Sequence, residues 1–278
     1  MTWPRITVVT PSYNQAAFVE RTLASVLSQE YPDLEYLVLD GGSTDGSAEI
    51  IRRHADRLAW FRSERDGGQA AAIGEGFARS TGEVLCWINS DDTLAPGALS
   101  RVGRLFAERP DVDLITGGLR TVDAGDRRLF TSWAALDLRT LTYESAFVSQ
   151  PSTFWRRAIY QKAGGIDASY RFAMDFDLFV RMLLEGARVL KVRQVLANYR
   201  VHPESKSSNL QEISAEEVAR TITRHGLARG SHRARMLRKY AYRALRFARD
   251  PLLLISAIEC RLRGHGPVLL TDYPSAPP

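Results

Sequence analysis

The sequence is short of three things, and each shortage excludes something. Cysteine is one: Cys86 and Cys260 are the two in 278 residues, too few and too far apart for a metal cage or a disulfide framework. That usage fits a reducing compartment. Long apolar runs are another. The longest near the C-terminus, Leu252 to Ile258, falls well short of the roughly 20 residues a membrane-spanning helix needs. The first residues also lack the basic segment, apolar stretch and small-residue cleavage site of a secretion signal. A cytoplasmic chain is therefore expected, soluble or peripheral at the inner face of a membrane. Glycine-rich phosphate loops are the third: neither GxxxxGK[ST] nor GxGxxG occurs, which removes the P-loop and dinucleotide-binding readings.

A local shortage of acid matters more than the net charge of +5. From Arg229 to Arg249 the charged residues are Arg229, Arg233, Arg235, Arg238, Lys239, Arg243, Arg246 and Arg249, with no carboxylate among them. Such a block is usually a solvated helix face, and it also suits phosphate-rich surfaces. No nucleic-acid recognition motif accompanies it, so nucleic acid is not expected as a partner. The alternatives are peripheral membrane contact through residues 229–263, a structural cap, or a homodimer contact.

What is present is a 45% hydrophobic chain without low-complexity tracts, enough for a large core. Its first half alternates strand and helix patterns. Ile6–Thr10, Tyr36–Leu39, Ala59–Arg62, Val84–Ile88 and Leu114–Thr116 read as strands, with helical segments between them. Such alternation predicts an α/β fold, a mostly parallel, Rossmann-like sheet flanked by helices. Beyond Gly118 the pattern shifts to hairpin-like strands and short helices, with a helix from Asp175 to Leu184. The expected division is residues 1–208 (nucleotide-binding half 1–117, acceptor-binding half 118–208), followed by a basic helical C-terminal extension, 209–278.

In parallel sheets ligands sit beyond the carboxyl ends of strands. Three polar clusters fall there: Thr10-Pro11-Ser12-Tyr13-Asn14, Asp40-Gly41-Gly42-Ser43-Thr44-Asp45, and Asn89-Ser90-Asp91-Asp92. Each has a plain structural reading as strand stop or helix cap. Each also has a chemical one. Adjacent Asp91 and Asp92 repel unless something offsets them, and Mg²⁺ or Mn²⁺ does so with oxygen ligands and substrate phosphates. Tyr13 can stack on a nucleobase. Asp40 can accept from a base or ribose, with Gly41 and Gly42 permitting close approach. Met174-Asp175-Phe176-Asp177 opens a helix, where carboxylates cap by default, yet an aspartate between Met174 and Phe176 suits a general base if desolvated. His202, in Tyr199-Arg200-Val201-His202-Pro203, offers imidazole to a diphosphate or a metal.

Taken in order, these segments resemble the family-2 glycosyltransferases, which have the GT-A fold, over roughly Ile6 to Ser208. Asp66-Gly67-Gly68-Gln69 and Thr81-Gly82-Glu83 belong to the same series. The resemblance is nearest to bacterial enzymes of capsule, O-antigen or exopolysaccharide assembly. It implies transfer of a sugar from a nucleotide-diphosphate donor, a UDP-sugar first, to a glycan or lipid-linked acceptor, with inversion. It places Thr10, Pro11, Ser12 and Tyr13 around the nucleotide, with Asp40 accepting from the base and Arg65 and Asp66 beside it. It gives Asp91 the ribose, Asp92 and His202 the metal, and Asp175 the base role. Two positions depart from the pattern: Met174 replaces the usual glutamate before the base, and Gly41 replaces a second aspartate. A nucleotidyltransferase making nucleotide sugars is the rival enzyme, and Thr10–Asn14 lacks its basic glycine-rich loop. A non-catalytic sugar- or nucleotide-binding module is the rival outside enzymes.

Overall fold

A computed structural model describes residues 3–133, 136–144, 149–206, 210–227, 232–249 and 258. The alternating half forms as its pattern demands. Strands β1 (Ile6–Ser12), β2 (Leu34–Asp40), β3 (Trp60–Ser63) and β4 (Val84–Trp87) alternate with helices α1 (Val19–Leu27), α2 (Ser47–Arg52) and α3 (Gln69–Arg79). They lie side by side in the order β3-β2-β1-β4, all parallel.

Beyond β4 the sheet turns mixed. β5 (Thr93–Leu94) and α4 (Ala98–Glu108) precede β6 (Leu114–Val122) and β7 (Arg128–Ser132), which form a hairpin around the turn at Asp123–Asp126. Next come α5 (Leu138–Glu144), β8 (Thr153–Arg156), α6 (Arg157–Lys162), α7 (Met174–Leu184) and β9 (Val189–Arg200). β8 pairs antiparallel to both β4 and β6, while the long β9 runs parallel to β6 and carries β5 on its far edge. The nine strands of the described residues thus form one α/β sheet, parallel at one side and mixed at the other.

Strand alternation sorts the side chains onto two faces. Ile6, Val8, Tyr36, Val38, Val84 and Cys86 pack on one side with Leu23, Leu99 and Phe106 of the helices. Val9, Leu37, Leu39, Leu85 and Trp87 pack on the other with Phe77, Trp155 and Phe179. Trp155 is the hub of the second cluster, edge-on to Trp87 at 5.5 Å, Phe179 at 5.6 Å and Phe77 at 6.0 Å. Each wholly buried aliphatic or phenyl group contributes about 1.5–3 kcal/mol. Helix α3 comes so close to β1 that a Cβ on Gly76 would lie 2.7 Å from Val9 Cγ1.

Two helices follow β9: α8 (Gln211–Arg224) and the basic α9 (His232–Arg249). Val218 of α8 joins the second cluster, and Thr221, with no exposed surface, meets Tyr170 Oη at 2.7 Å. Helix α8 is thereby built into the core, although the sequence reading sets it apart as an extension. Helix α9 rests on α5 through Tyr242, whose hydroxyl lies 2.7 Å from Thr140 Oγ1. No helix of the described residues is long and apolar enough to cross a membrane.

Candidate active site

The carboxyl ends of β1, β2 and β4 meet at one edge, and their loops are stitched together by side chains. Asn14 N–H donates to Ser43 Oγ (2.8 Å), Gln15 N–H to Ser47 Oγ (2.8 Å) and Ala16 N–H to Asp45 Oδ2 (2.9 Å). In return Asn14 Oδ1 accepts from Thr44 N–H at 3.0 Å. Asn14 adopts φ of 51°, a left-handed conformation that asparagine tolerates. Burial works to raise the Asp45 carboxyl, but donation from Ser47 Oγ (2.6 Å) and from the Ala16 and Ser47 amides outweighs it and holds the group below its ordinary range. The capping residues of this turn hold the first loop rather than merely starting α2.

Asp40 closes the same turn from inside. It has no exposed surface, and its carboxylate accepts from Ser43 Oγ (2.5 Å), Ser63 Oγ (2.7 Å), Ser43 N–H (2.9 Å) and Gly42 N–H (3.1 Å). In this arrangement the side chain serves its own loop, and what faces outward is the backbone of Gly41 and Gly42. Thr10 is likewise turned inward, its hydroxyl 2.9 Å from Tyr36 Oη within the core. Pro11 and Ser12 are buried, and Ser12 Oγ has no hydrogen-bond partner among the described residues.

Tyr13, Gly41 and Asp66 are the members brought together at the surface. A Cβ on Gly41 would lie 3.4 Å from both Asp66 carboxylate oxygens and 3.4 Å from Tyr13 Cδ2. Gly41 therefore forms the floor between an aromatic ring, 63% exposed, and a carboxylate. Asp66 itself is fixed by Gly68 N–H at 2.8 Å, and Arg62, bonded to Glu75 at 2.7 Å, lies beneath it. Arg65 is exposed beside this floor, its backbone nitrogen against Gly42.

The paired aspartates part company. Asp92 is 1% exposed, its carboxylate taking Arg200 N–H at 2.9 Å and Asn89 Nδ2 at 3.2 Å. Burial, and then the charge of Asp91, push its carboxyl well above the usual range. Asp91 points the other way and brings Oδ2 to 3.2 Å from His202 Nε2. Asp91 Oδ2 and His202 Nε2 therefore stand together as a candidate pair for a divalent cation, while Asp92, which the sequence reading assigns to the metal, is buried against the Arg200 backbone. Among the described residues no group of three or more His, Cys, Asp or Glu gathers in one place, so substrate oxygens would have to complete the shell.

Arg200 sets this arrangement, and sequence reasoning gave it no role of its own. Wholly buried, it donates to Asp91 O (2.8 Å) and to the carbonyls of Asp123 (3.2 Å) and Ala124 (3.3 Å), and pairs with Asp126 at 2.7 Å. Its guanidinium is thus committed to the fold. Lys206, by contrast, reaches back to Gln69 Oε1 at 2.7 Å, and Gln69 reaches Asn89 Oδ1 at 2.7 Å. Its ammonium lies within electrostatic reach of Asp91, Arg171, Glu217 and Asp66, which surround it.

Asp175 stands in the first turn of α7. One oxygen accepts Phe176 N–H at 2.7 Å, and no cation pairs with it among the described residues. Burial raises its carboxyl to about 6, with the nearby charge of Glu217 adding to the rise. Asp177 differs: with no exposed surface, it pairs with Arg181 at 2.7 Å. Geometry thus separates the two aspartates that the sequence left as rivals.

Thr81-Gly82-Glu83 lies at the opposite edge of the sheet. There Glu35 takes Thr81 N–H (2.8 Å), Thr81 Oγ1 (2.9 Å), Gly82 N–H (3.0 Å) and Thr7 Oγ1 (2.6 Å), fastening the entry to β4. That motif is structural.

A family model described as Glycosyl transferase family 2 matches residues 7–164, more than half of the chain. An uncharacterized glycosyltransferase of Nostoc sp. is 27% identical over 234 residues, spanning 78% of this chain and 71% of that protein. An O-antigen biosynthesis protein of Myxococcus xanthus is 32% identical over 188 residues, which is 64% of this chain and 14% of the longer relative. Among solved structures, S. aureus TarS 1–349 in complex with UDP-GlcNAc superposes with a TM-score of 0.65 at 16% identity, covering 93% of this chain and 78% of that one. The mannosyltransferase PcManGT of Pyrobaculum calidifontis, in complex with GDP-Man and Mn²⁺, gives 0.64 at 19% identity, covering 96% and 76%. At these identities the structural matches establish the fold, which is GT-A-like.

Proposed function

This chain belongs to glycosyl transferase family 2, and from that membership we propose that it transfers a sugar from a nucleotide-diphosphate donor, a UDP-sugar first, to an acceptor hydroxyl with inversion. The observation that carries the catalytic reading is Asp175: an unpaired carboxyl in the first turn of α7, held near 6 by burial. A carboxylate poised close to neutrality is suited to take a proton from an alcohol as that alcohol attacks.

Tyr13 would stack on the base over the Gly41 floor, with Asp66 accepting from base or ribose and Arg65 alongside. The Gly41–Gly42 backbone, not the Asp40 side chain, would line the pocket there. Asp91 and His202 would hold a divalent cation, Mn²⁺ or Mg²⁺, which offsets the negative charge of the leaving diphosphate. A carboxylate oxygen and an imidazole nitrogen suit Mn²⁺, and PcManGT supports the choice because its complex holds Mn²⁺. Lys206 would add a cation on the same side. The acceptor oxygen forms a bond to the anomeric carbon as the bond from that carbon to the diphosphate oxygen breaks. The diphosphate leaves with the electron pair, and the acceptor proton goes to Asp175. One displacement inverts the configuration.

The O-antigen relative supports a role in cell-surface polysaccharide assembly. The basic helix α9 supports an acceptor presented at an anionic surface, such as a lipid-linked glycan. The test is release of nucleoside diphosphate from UDP-, GDP- and dTDP-sugars with Mn²⁺, Mg²⁺ or EDTA. Metal-dependent turnover of one donor, lost in Asp175→Asn, is the expected result. Calorimetry showing no metal-dependent binding of UDP, GDP or dTDP, together with no turnover, would exclude it.

A further inference from the structure

We propose that Glu217, on α8, is a positioning residue for Asp175: it fixes the backbone that delivers Asp175 and sets a negative charge beside it. The inference rests on the reading of Asp175 as the base. Helix α7 begins with no capping side chain of its own, since Ala173 occupies the N-cap. The amides of the three residues that lead into it are held from outside. Arg171 N–H donates to Glu217 Oε1 at 2.7 Å, while Phe172 and Ala173 N–H donate to Oε2 at 2.9 and 2.8 Å. Glu217 is 8% exposed, so its charge is balanced by these three bonds and by the positive end of α7.

An aspartate in the first turn of a helix ordinarily spends its carboxylate on free amides. Here the segment before the helix is held by a residue more than forty positions later, and Asp175, bonded to Phe176 N–H through one oxygen, keeps the other unbonded among the described residues. The rest of α8 grips the same approach segment. Thr221 meets Tyr170 Oη, Arg220 lies 3.9 Å over the Tyr170 ring, and Arg224 pairs with Asp167 at 3.3 Å. Of the charged groups nearby, Asp177 is turned to Arg181, Lys206 lies within electrostatic reach of both Glu217 and Arg171, and Glu217 is the one that acts on Asp175, raising its carboxyl.

The test uses the full chain labelled with carboxyl-¹³C aspartate, with the Asp175 signal assigned by its loss in Asp175→Asn. In Glu217→Gln the charge goes and an amide oxygen remains to accept. The Asp175 midpoint should fall by roughly 0.5 to 1 pH unit, and the acid limb of donor turnover should move down with it. An unmoved midpoint in a folded Glu217→Gln protein overturns the inference, whatever the activity does. A midpoint that falls without the limb following supports the placement of Glu217 and refutes the base reading of Asp175 instead. If Glu217→Gln does not fold, Glu217→Asp keeps the charge and withdraws its reach. It should lower kcat by about tenfold with donor KM unchanged, a split seen when positioning alone is lost. Wild-type kcat in that variant overturns the inference equally.

Discussion

Asp91 and His202 stand 111 positions apart in the chain and meet at 3.2 Å because β9 pairs with β5, the short strand that directly follows Asp92. The contact depends on a division of labour within the adjacent aspartates. Asp92 is spent on the fold, binding the backbone of Arg200, and thereby aims Asp91 outward. On the proposed reading, the metal chemistry of the pair would lie in its first member.

Asp91→Asn and His202→Ala should each lower metal-dependent donor turnover by on the order of 100-fold and raise the Mn²⁺ concentration needed for half-maximal activity. Asp92→Asn should do less to that requirement, because the amide oxygen still accepts from Arg200 N–H inside the protein. Metal titration of turnover in the three variants checks the order. An Asp92→Asn protein that folds yet loses its metal dependence would return the ligand role to Asp92.

Asp175→Asn should reduce transfer by roughly 10² to 10⁴-fold with donor KM little changed. The base must be ionised to work. With its carboxyl raised to about 6, activity should be low at pH 5 and rise through pH 6 to a plateau. A pH profile of kcat/KM reads this directly, and a limb near pH 4 would mean the raised carboxyl is not the group that titrates.

Much of this was legible in the sequence, for physical reasons. The β-branched strands, the polar ends of β1, β2 and β4, and the turn at Asp123–Asp126 are local signals. The mixed half of the sheet was less legible because β9 pairs with strands over 60 positions away. Side-chain direction depends on packing: nothing in Asn89-Ser90-Asp91-Asp92 tells which carboxylate is buried. Arg200 and Glu217 were invisible as scaffold because a charged residue reads as surface until its buried partners are known.

Tyr13→Ala should weaken UDP binding in the presence of Mn²⁺ by about 1–3 kcal/mol, the range for stacking of a base on an aromatic ring. The ring is 63% exposed and holds nothing else in place, so the melting temperature should stay unchanged. Calorimetry and thermal unfolding together check this. Unaltered affinity would move the base away from Tyr13.

Arg200→Ala should be the costly one. It removes one of the two arginines that pair with Asp126 and one donor from each of three carbonyls, of which Asp91's own keeps no other among the described residues. Leaving a buried carbonyl without a donor costs about 1–3 kcal/mol. Stability and donor affinity should fall together, since the loop that aims Asp91 loses its support. Denaturant titration beside nucleotide binding tests it; a destabilised protein with unchanged affinity would show that the Asp91 loop keeps its shape alone.

Helix α9 supplies a last expectation. Leu237, Tyr240 and Leu245 are 73%, 53% and 44% exposed, and their spacing of three and eight puts them on one face. Tyr242 fixes another face to α5. An acid-free basic helix with an outward apolar stripe can meet a second copy of itself or an anionic surface. Pairing two copies would bring like charges together, at a cost that an anionic bilayer converts to attraction of about 1 kcal/mol per cation near the surface. The chain should therefore float with phosphatidylglycerol vesicles at low salt and release as salt rises, with Leu237→Ser and Tyr240→Ser weakening the association. No flotation at low salt, or an apolar stripe that instead drives dimers in sedimentation, would remove the membrane from the account and leave the site at the strand ends untouched.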